Sequence, residues 1–275
     1  MANKIKKFIL YVLLIGLALM CILPFWLMIV NATRSGVEIT HSFSFLPGKS
    51  LKDNWVVLFD YVNLFRGLFN SVKVALPATL LTAYFSAITA FGMAMYEWKG
   101  NNLLFRIIVI FMMIPGQLSL IGFYNLCQKL HLIDSYIPLI IPAMASPGIV
   151  FFLRQYVKAT LSKALMEAAR IDGASEIHIF HRIVLPIMAP GIATMSIGAF
   201  IGNWNSYLVP LILLNTPKKM TLPVMISTLN AATDLQKNQG AIYLGVAISV
   251  IPIIIVFSFC SKYIISSISA GSVKE

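Results

Sequence analysis

The sequence predicts an all-α polytopic membrane protein, on three observations. The mean hydropathy of +0.84 and a composition of 59% hydrophobic and only 11% charged residues are too apolar for a soluble domain of 275 residues, so lipid must solvate much of the surface. Six windows approach or exceed the roughly 20 mainly apolar residues that a helix needs to cross the hydrocarbon core. These windows are almost free of charge: no Asp, Glu, Lys or Arg occurs over 74–95, 107–128, 136–153, 183–217 or 240–261. The expected architecture is one domain, 1–275, of six transmembrane helices, with a charged loop at 154–183 between the fourth and fifth.

The first window, Phe8–Val30, follows Lys4, Lys6 and Lys7. Its length of about 23 residues exceeds a signal-peptide core, and Val30-Asn31-Ala32-Thr33 offers no small-x-small cleavage site, so it reads as an uncleaved first helix. The segment 31–71 is too long for a hairpin. Trp55, Leu58, Phe59, Val62, Arg66 and Phe69 recur at helical spacing with interfacial aromatics, which predicts a helix lying on the outer surface. The second to fourth windows are Val72–Tyr96, Leu103–Leu126 and Tyr136–Leu153. The fifth, Val184–Leu214, is punctuated by proline and reads as a helix to about Asn203 with a break around Trp204–Pro210. The sixth is Ala241–Ile265.

With the amino terminus inside, the inner segments carry more than half of the 21 basic residues, and five of them, Arg154, Lys158, Lys163, Arg170 and Arg182, crowd the 154–183 loop. That density sets the orientation, with both termini cytoplasmic. The net charge of +11 then suits anionic headgroups and needs no nucleic acid.

Several chemistries lack their residues. Ion-coupled carriers use an intramembrane ionisable group, and the stretches 74–95, 107–128, 136–153, 183–217 and 240–261 hold no Asp, Glu, Lys or Arg. Gly48-Lys49-Ser50 resembles the end of a phosphate-binding loop, but the glycine required at position 43 is Phe43. Cys21, Cys127 and Cys260 are scattered through apolar windows without metal-ligand spacing and read as buried hydrophobes. No hydrolase or metalloprotease motif occurs, so the chain is expected to be no enzyme and to bind no cofactor. Any energy-driven process in which such a chain takes part would draw its energy from a partner.

The charged loop is patterned. Leu161, Ala164, Leu165, Ala168 and Ala169 form one apolar helical stripe, with Lys163, Glu167 and Arg170 on other faces. Gly173 supplies a left-handed helix stop. Ile177, Phe180 and Val184 begin a second helix, and Pro186 and Pro190 let the chain re-enter the membrane in a new direction. An interfacial helix facing headgroups would show the same periodicity.

Glu167-Ala168-Ala169, three residues, Gly173, nine residues, then Ile183-Val184-Leu185-Pro186 resembles the signature loop of ABC-importer permeases. Asn31-Ala32-Thr33-Arg34, Phe69-Asn70-Ser71, Asn203-Trp204-Asn205-Ser206-Tyr207, Thr221-Leu222-Pro223-Val224 and Ser269-Ala270-Gly271-Ser272-Val273-Lys274 are similar to the maltose-type and multiple-sugar-type branch of these bacterial inner-membrane subunits. The resemblance implies a heterodimer with a second permease, two cytoplasmic ATPase subunits that bind ATP and Mg, and an extracellular solute-binding protein delivering a sugar. It implies that Glu167, Ala168, Ala169, Arg170, Asp172 and Gly173 form a coupling helix seated on an ATPase, with Glu167 and Arg170 making polar contacts and the closing tail a second contact.

In the fifth window, Asn203, Trp204, Asn205 and Tyr207 gather amides and aromatic rings that are costly to face toward lipid. They fit either the hydroxyls and C–H faces of a neutral polyol or interhelical hydrogen bonding. Gln117, Ser119, Tyr124 and Asn125 form a weaker set of the same kind. The polar loop 215–239, with Lys218, Lys219, Asp234 and Lys237, is a candidate surface for the binding protein. An importer of a non-sugar solute and an ATPase-independent facilitator are the other readings.

Overall fold

A computed structural model describes residues 2–231 and 238–272. The expected positions Asp234 and Lys237, and the end of the tail from Val273, lie outside the described residues. In chain order the α-helices are α1 (Ala2–Ala32), α2 (Gly36–His41), α3 (Leu51–Tyr61), α4 (Leu64–Met95), α5 (Asn101–Met112), α6 (Leu120–Lys129) and α7 (Ile137–Ile140). There follow α8 (Pro147–Thr160), α9 (Lys163–Ile171), α10 (Glu176–Ile179), α11 (Leu185–Trp204), α12 (Leu208–Leu213), α13 (Leu222–Ala231) and α14 (Gln239–Ser272). No strand occurs among the described residues. Among the described residues, five helical segments are long and apolar enough to span a membrane: Lys4–Ala32, Leu64–Met95, Ile137–Thr160, Glu176–Trp204 and Gln239–Ser261. A sixth is counted if α5 and the helical stretch Gly116–Lys129 make one span.

That sixth span is not the straight helix expected over Leu103–Leu126. Its halves meet at 91°, because Pro115 has no amide to continue the ladder and adopts an extended ψ of 122° before a 3-10 turn at Gly116–Ser119. Gln117 and Ser119 sit exposed in this bend, Asn125 is exposed on α6 and Tyr124 is half-buried. The fourth span also departs from a regular helix. It runs from α7 through a 3-10 turn at Ile141–Met144 into α8, with Pro138, Pro142 and Pro147 marking each change. The expected break in the fifth is present, since α11 ends at Trp204 and α12 resumes at Leu208.

The chain divides into two compact units. In the first, residues 1–68 and 222–252, α1 is exposed along most of its length, Cys21 included, which corrects the expectation that this thiol is buried. The Asn31–Arg34 motif organises the turn that follows. Arg34 is buried and donates through Nη2 to Glu38 O at 2.7 Å and Ser42 O at 2.8 Å, closing the end of α2. Asn54 Nδ2 donates to Ala32 O and Arg34 O at 2.8 and 2.9 Å. Gly240 packs so closely there that a Cβ would lie 2.1 Å from Arg34 O. The surface helix expected over 55–69 is α3, with Trp55 stacked on Phe59 at 4.5 Å. It stops at Tyr61, so Arg66 and Phe69 belong to α4, which starts eight residues before the expected Val72.

In the second unit, residues 69–221 and 253–275, α8 packs against both α5 and α11. A buried cluster joins Ala87, Ala90 and Phe91 of α4, Leu153 and Val157 of α8, Met166 and Ala169 of α9, and Ile179, Phe180, Val184 and Met188 on the way into α11. This core is where the charged segment attaches.

Candidate functional site

The charged segment is shorter and more ordered than a 154–183 loop. Residues 154–160 are the last turns of α8, and residues from Glu176 already belong to the helix entering α11. Arg154 is not a solvated loop charge. It is buried, its guanidinium lies 3.8 Å from the Phe105 ring centre, and Nε donates to Met93 O at 3.4 Å. The carbonyl end of α4, where Asn101 Nδ2 also donates to Met93 O and Tyr96 O, supplies the negative partial charge that compensates it.

Helix α9 has defined ends. Ser162 accepts from Leu165 N at 3.3 Å as its N-cap. At the other end Gly173 has φ +80°. Its N–H donates to Arg170 O and that of Ala174 to Ala169 O, both at 3.0 Å, a Schellman closure. Asp172 is the C-cap residue.

The buried face of α9 is not the expected stripe. Met166 and Ala169, with Leu161 just before the helix, enter the core at 2%, 7% and 6% exposure. Ala164, Leu165 and Ala168 point outward, as do Ile171 at 85% exposure and Ile177 at 75%. The sequence stripe joined two faces, because Met166 was left out and alanines tolerate either environment. Ile177 sits on the first turn of α10, before the core begins at Ile179.

The polar side chains also separate. Lys163 Nζ pairs with Glu97 at 2.5 Å, and this contact lowers the pKa of Glu97 and raises that of Lys163. Arg170 Nε donates to Glu176 Oε1 at 2.7 Å, while the Tyr96 hydroxyl donates to Glu176 Oε2. Glu167 shares a hollow of about 300 Å³ with Met95, Tyr96, Glu97, Lys163, Met166 and Arg170. Sequence reasoning missed Tyr96 and Glu97, whose distance along the chain hid their approach to α9, and Glu176, which the turn at Gly173 brings back to Arg170.

After α10 the chain does not turn sharply at Pro186. It passes through a π turn, Phe180–Val184, with Leu185 N donating to Phe180 O, and continues into α11. The two prolines that follow remove α-helical donors just beyond that turn. His181 in the turn bonds through Nδ1 to Ile177 O at 2.9 Å and faces the Tyr84 hydroxyl at 3.2 Å.

The second candidate site surrounds Asn203. A cavity of about 290 Å³ is lined by Val74, Phe123, Pro138, Leu139, Pro142, Ala143, Val209 and Pro210, with Asn203 and Ser206 as its polar members. Asn203 Nδ2 lies 3.4 Å from Thr79 Oγ1. The other expected members are elsewhere. Trp204 is 1% exposed and stacks on Phe200 at 5.7 Å. Asn205 is exposed, Tyr207 is half-buried, and neither lines the cavity.

A third cluster ties connecting segments together. Asp134 accepts at Oδ1 from Asn215 N and Thr216 N, each at 3.0 Å, and at Oδ2 from Thr216 Oγ1 at 2.6 Å and Lys219 Nζ at 2.9 Å. The hydrogen bonds from Thr216 and Lys219 hold its carboxyl far below the usual carboxylate range. Tyr136 donates to Lys219 O, and Asn70 Nδ2 to Lys218 O and Met220 O. Among the described residues, no group of three or more His, Cys, Asp or Glu is placed to hold a metal ion.

Comparison with known proteins places these features in a family. Residues 72–270 match the profile described as binding-protein-dependent transport system inner membrane component. The chain is similar to the arabinooligosaccharides transport system permease protein AraQ of Bacillus subtilis, 34% identical over 94% of this chain and 92% of that protein. The lactose transport system permease protein LacG of Rhizobium radiobacter is 29% identical over 99% and 98% of the two chains. A solved bacterial ABC transporter involved in the import of the acidic polysaccharide alginate has the same fold, with a TM-score of 0.80 at 23% identity over 96% of this chain and 98% of that one. On the profile and these relatives, the chain belongs to the family of binding-protein-dependent transport system inner membrane components.

Proposed function

We propose that this permease forms one half of the translocation pathway of an ATP-driven importer for a neutral oligosaccharide. It works with a second, related permease and two ATPase subunits that bind ATP and Mg, and receives solute from an extracellular binding protein. It lies in a bacterial cell membrane with both termini cytoplasmic. Helix α9 is the coupling helix. The carrying observation is its two-sided character: Met166 and Ala169 are sunk into a core shared with α4, α8 and α11, while Leu165, Ala168 and Ile171 are left uncovered beside the charged Glu167. An apolar face that a soluble segment leaves bare marks a partner surface, and the buried anchors pass a push on that face directly to three long helices. Residues Glu167, Ala168, Asp172 and Gly173 shape the face and its end. Arg170 is engaged by Glu176 of this chain.

The cavity beside Asn203 suits a neutral sugar. Phe123 and the proline and leucine walls offer apolar surface for C–H faces, and Asn203 and Ser206 offer hydrogen bonds. The carbohydrate transport named for the relatives supports this substrate class.

The experiment is uptake of labelled oligosaccharide into proteoliposomes holding this chain, its partner permease and their ATPase, with binding protein added outside. Uptake that requires ATP and fails with Glu167→Lys supports the reading. Uptake without ATP would favour a facilitator.

A further inference from the structure

We propose that Tyr96, Arg170 and Glu176 form a clamp that fixes the angle of α9 against the helix leading into α11, making Arg170 a positioning residue within this chain. The inference rests on the coupling role assigned to α9 above and names what holds that helix at its working angle.

The joint between α9 and α10 is residues 172–175. At its centre Gly173 has a positive φ, and a Cβ built there would meet nothing within 4 Å, so packing does not brace the joint at that point. Arg170 lies just before it and Glu176 just after. The guanidinium reaches the carboxylate through Nε at 2.7 Å and Nη2 at 3.4 Å, a two-point fork that restrains rotation as a single contact would not. Tyr96 adds a third point from the end of α4. Its hydroxyl donates to Glu176 Oε2, and its ring lies 5.5 Å from the Arg170 guanidinium.

Tyr96 is itself held. Asn101 Nδ2 donates to its carbonyl at 2.9 Å, and its ring meets Phe91 of the core edge-on at 5.4 Å. The clamp therefore refers the angle of α9 to the same core that Met166 and Ala169 enter. Those two anchors set which face of α9 is buried, and the clamp sets its pitch. The ion pair is 41% and 50% exposed, so it contributes little to folding stability. Removing it leaves an inserted chain whose coupling geometry is loose.

The test uses the complete importer in proteoliposomes and reads sugar taken up per ATP hydrolysed, together with ATPase retained on purification. Arg170→Gln, Glu176→Gln and their double variant should each lose roughly fivefold or more in uptake per ATP, with the double no worse than either single. ATPase retention should stay unchanged. The exchanged pair, Arg170→Glu with Glu176→Arg, should recover part of that loss, because the clamp closes within one chain. Additive losses in the neutral variants would overturn the clamp, as would loss of ATPase retention on Arg170→Gln alone. If the exchanged pair fails to insert, the neutral cycle decides. Ile171→Asp is the separate control: if it keeps both ATPase and uptake, the coupling reading itself fails, whatever the clamp variants do.

Discussion

Gly173 has φ +80° with open space around its Cα, so a side chain there meets backbone strain and no steric clash. Gly173→Ala should therefore cost about 1–2 kcal/mol locally and leave uptake measurable. Gly173→Pro cannot reach that φ and also deletes the N–H that closes α9 on Arg170 O. It should abolish uptake while the protein remains inserted, as read by parallel transport assays and membrane fractionation.

Asp134 tests the connecting-segment cluster at the same scale. Its folded pKa is depressed by the Thr216 and Lys219 bonds, so the stability it contributes is present above the ordinary carboxylate pKa of about 4 and fades as pH falls through the folded value. Asp134→Asn should lower the melting temperature clearly at pH 7, and the gap from wild type should narrow on acidification below pH ~4. Thermal unfolding of the purified protein at both pH values checks the sign.

For α9, the anchor and the exposed face are separable. Met166→Ala removes a side chain that is 2% exposed in a shared core and should destabilise by about 2–5 kcal/mol. Its effect on uptake should exceed its effect on ATPase retention. Leu165→Asp, on the uncovered side, should do the reverse and release the ATPase on purification. Fully retained ATPase with Leu165→Asp would remove the docking role from that face.

At this scale the sequence was legible where periodicity and punctuation agree. The six apolar windows, the Gly173 stop and the break after Trp204 all rest on local chemistry that the chain carries with it. Misreadings came where a tertiary partner decides. The α9 stripe mixes two faces, with Leu161 and Ala169 buried and Ala164, Leu165 and Ala168 exposed, because alanines tolerate either environment and the buried side is set by Met166 in the core shared with α4 and α8. The bend at Pro115 was not read from Pro115-Gly116-Gln117, which interrupt the apolar run over Leu103–Leu126, because proline and glycine inside a membrane helix do not by themselves require a sharp bend. Arg154, placed in a charged loop by its position in the sequence, is buried against Phe105 of α5, far away along the chain.

Over the whole molecule, composition determined that the chain is a membrane protein, and the spaced Glu167–Pro186 motif indicated its family. The candidate substrate site was only half legible. Asn203 lines the cavity, but its sequence neighbour Trp204 faces the protein interior, since adjacent helical residues point about 100° apart. Asn203→Leu should accordingly alter transport kinetics while leaving ATPase association intact, and unchanged kinetics would return Asn203 to packing against Thr79.

The most direct test of the coupled-importer account is to purify the chain from its native membrane in a mild detergent, as wild type and as Ile171→Asp, and measure ATP hydrolysis in each eluate. The account predicts that wild type carries ATPase activity and that Ile171→Asp, inserted and bound to its partner permease, does not. Wild type without activity, or a variant with undiminished activity, would contradict it.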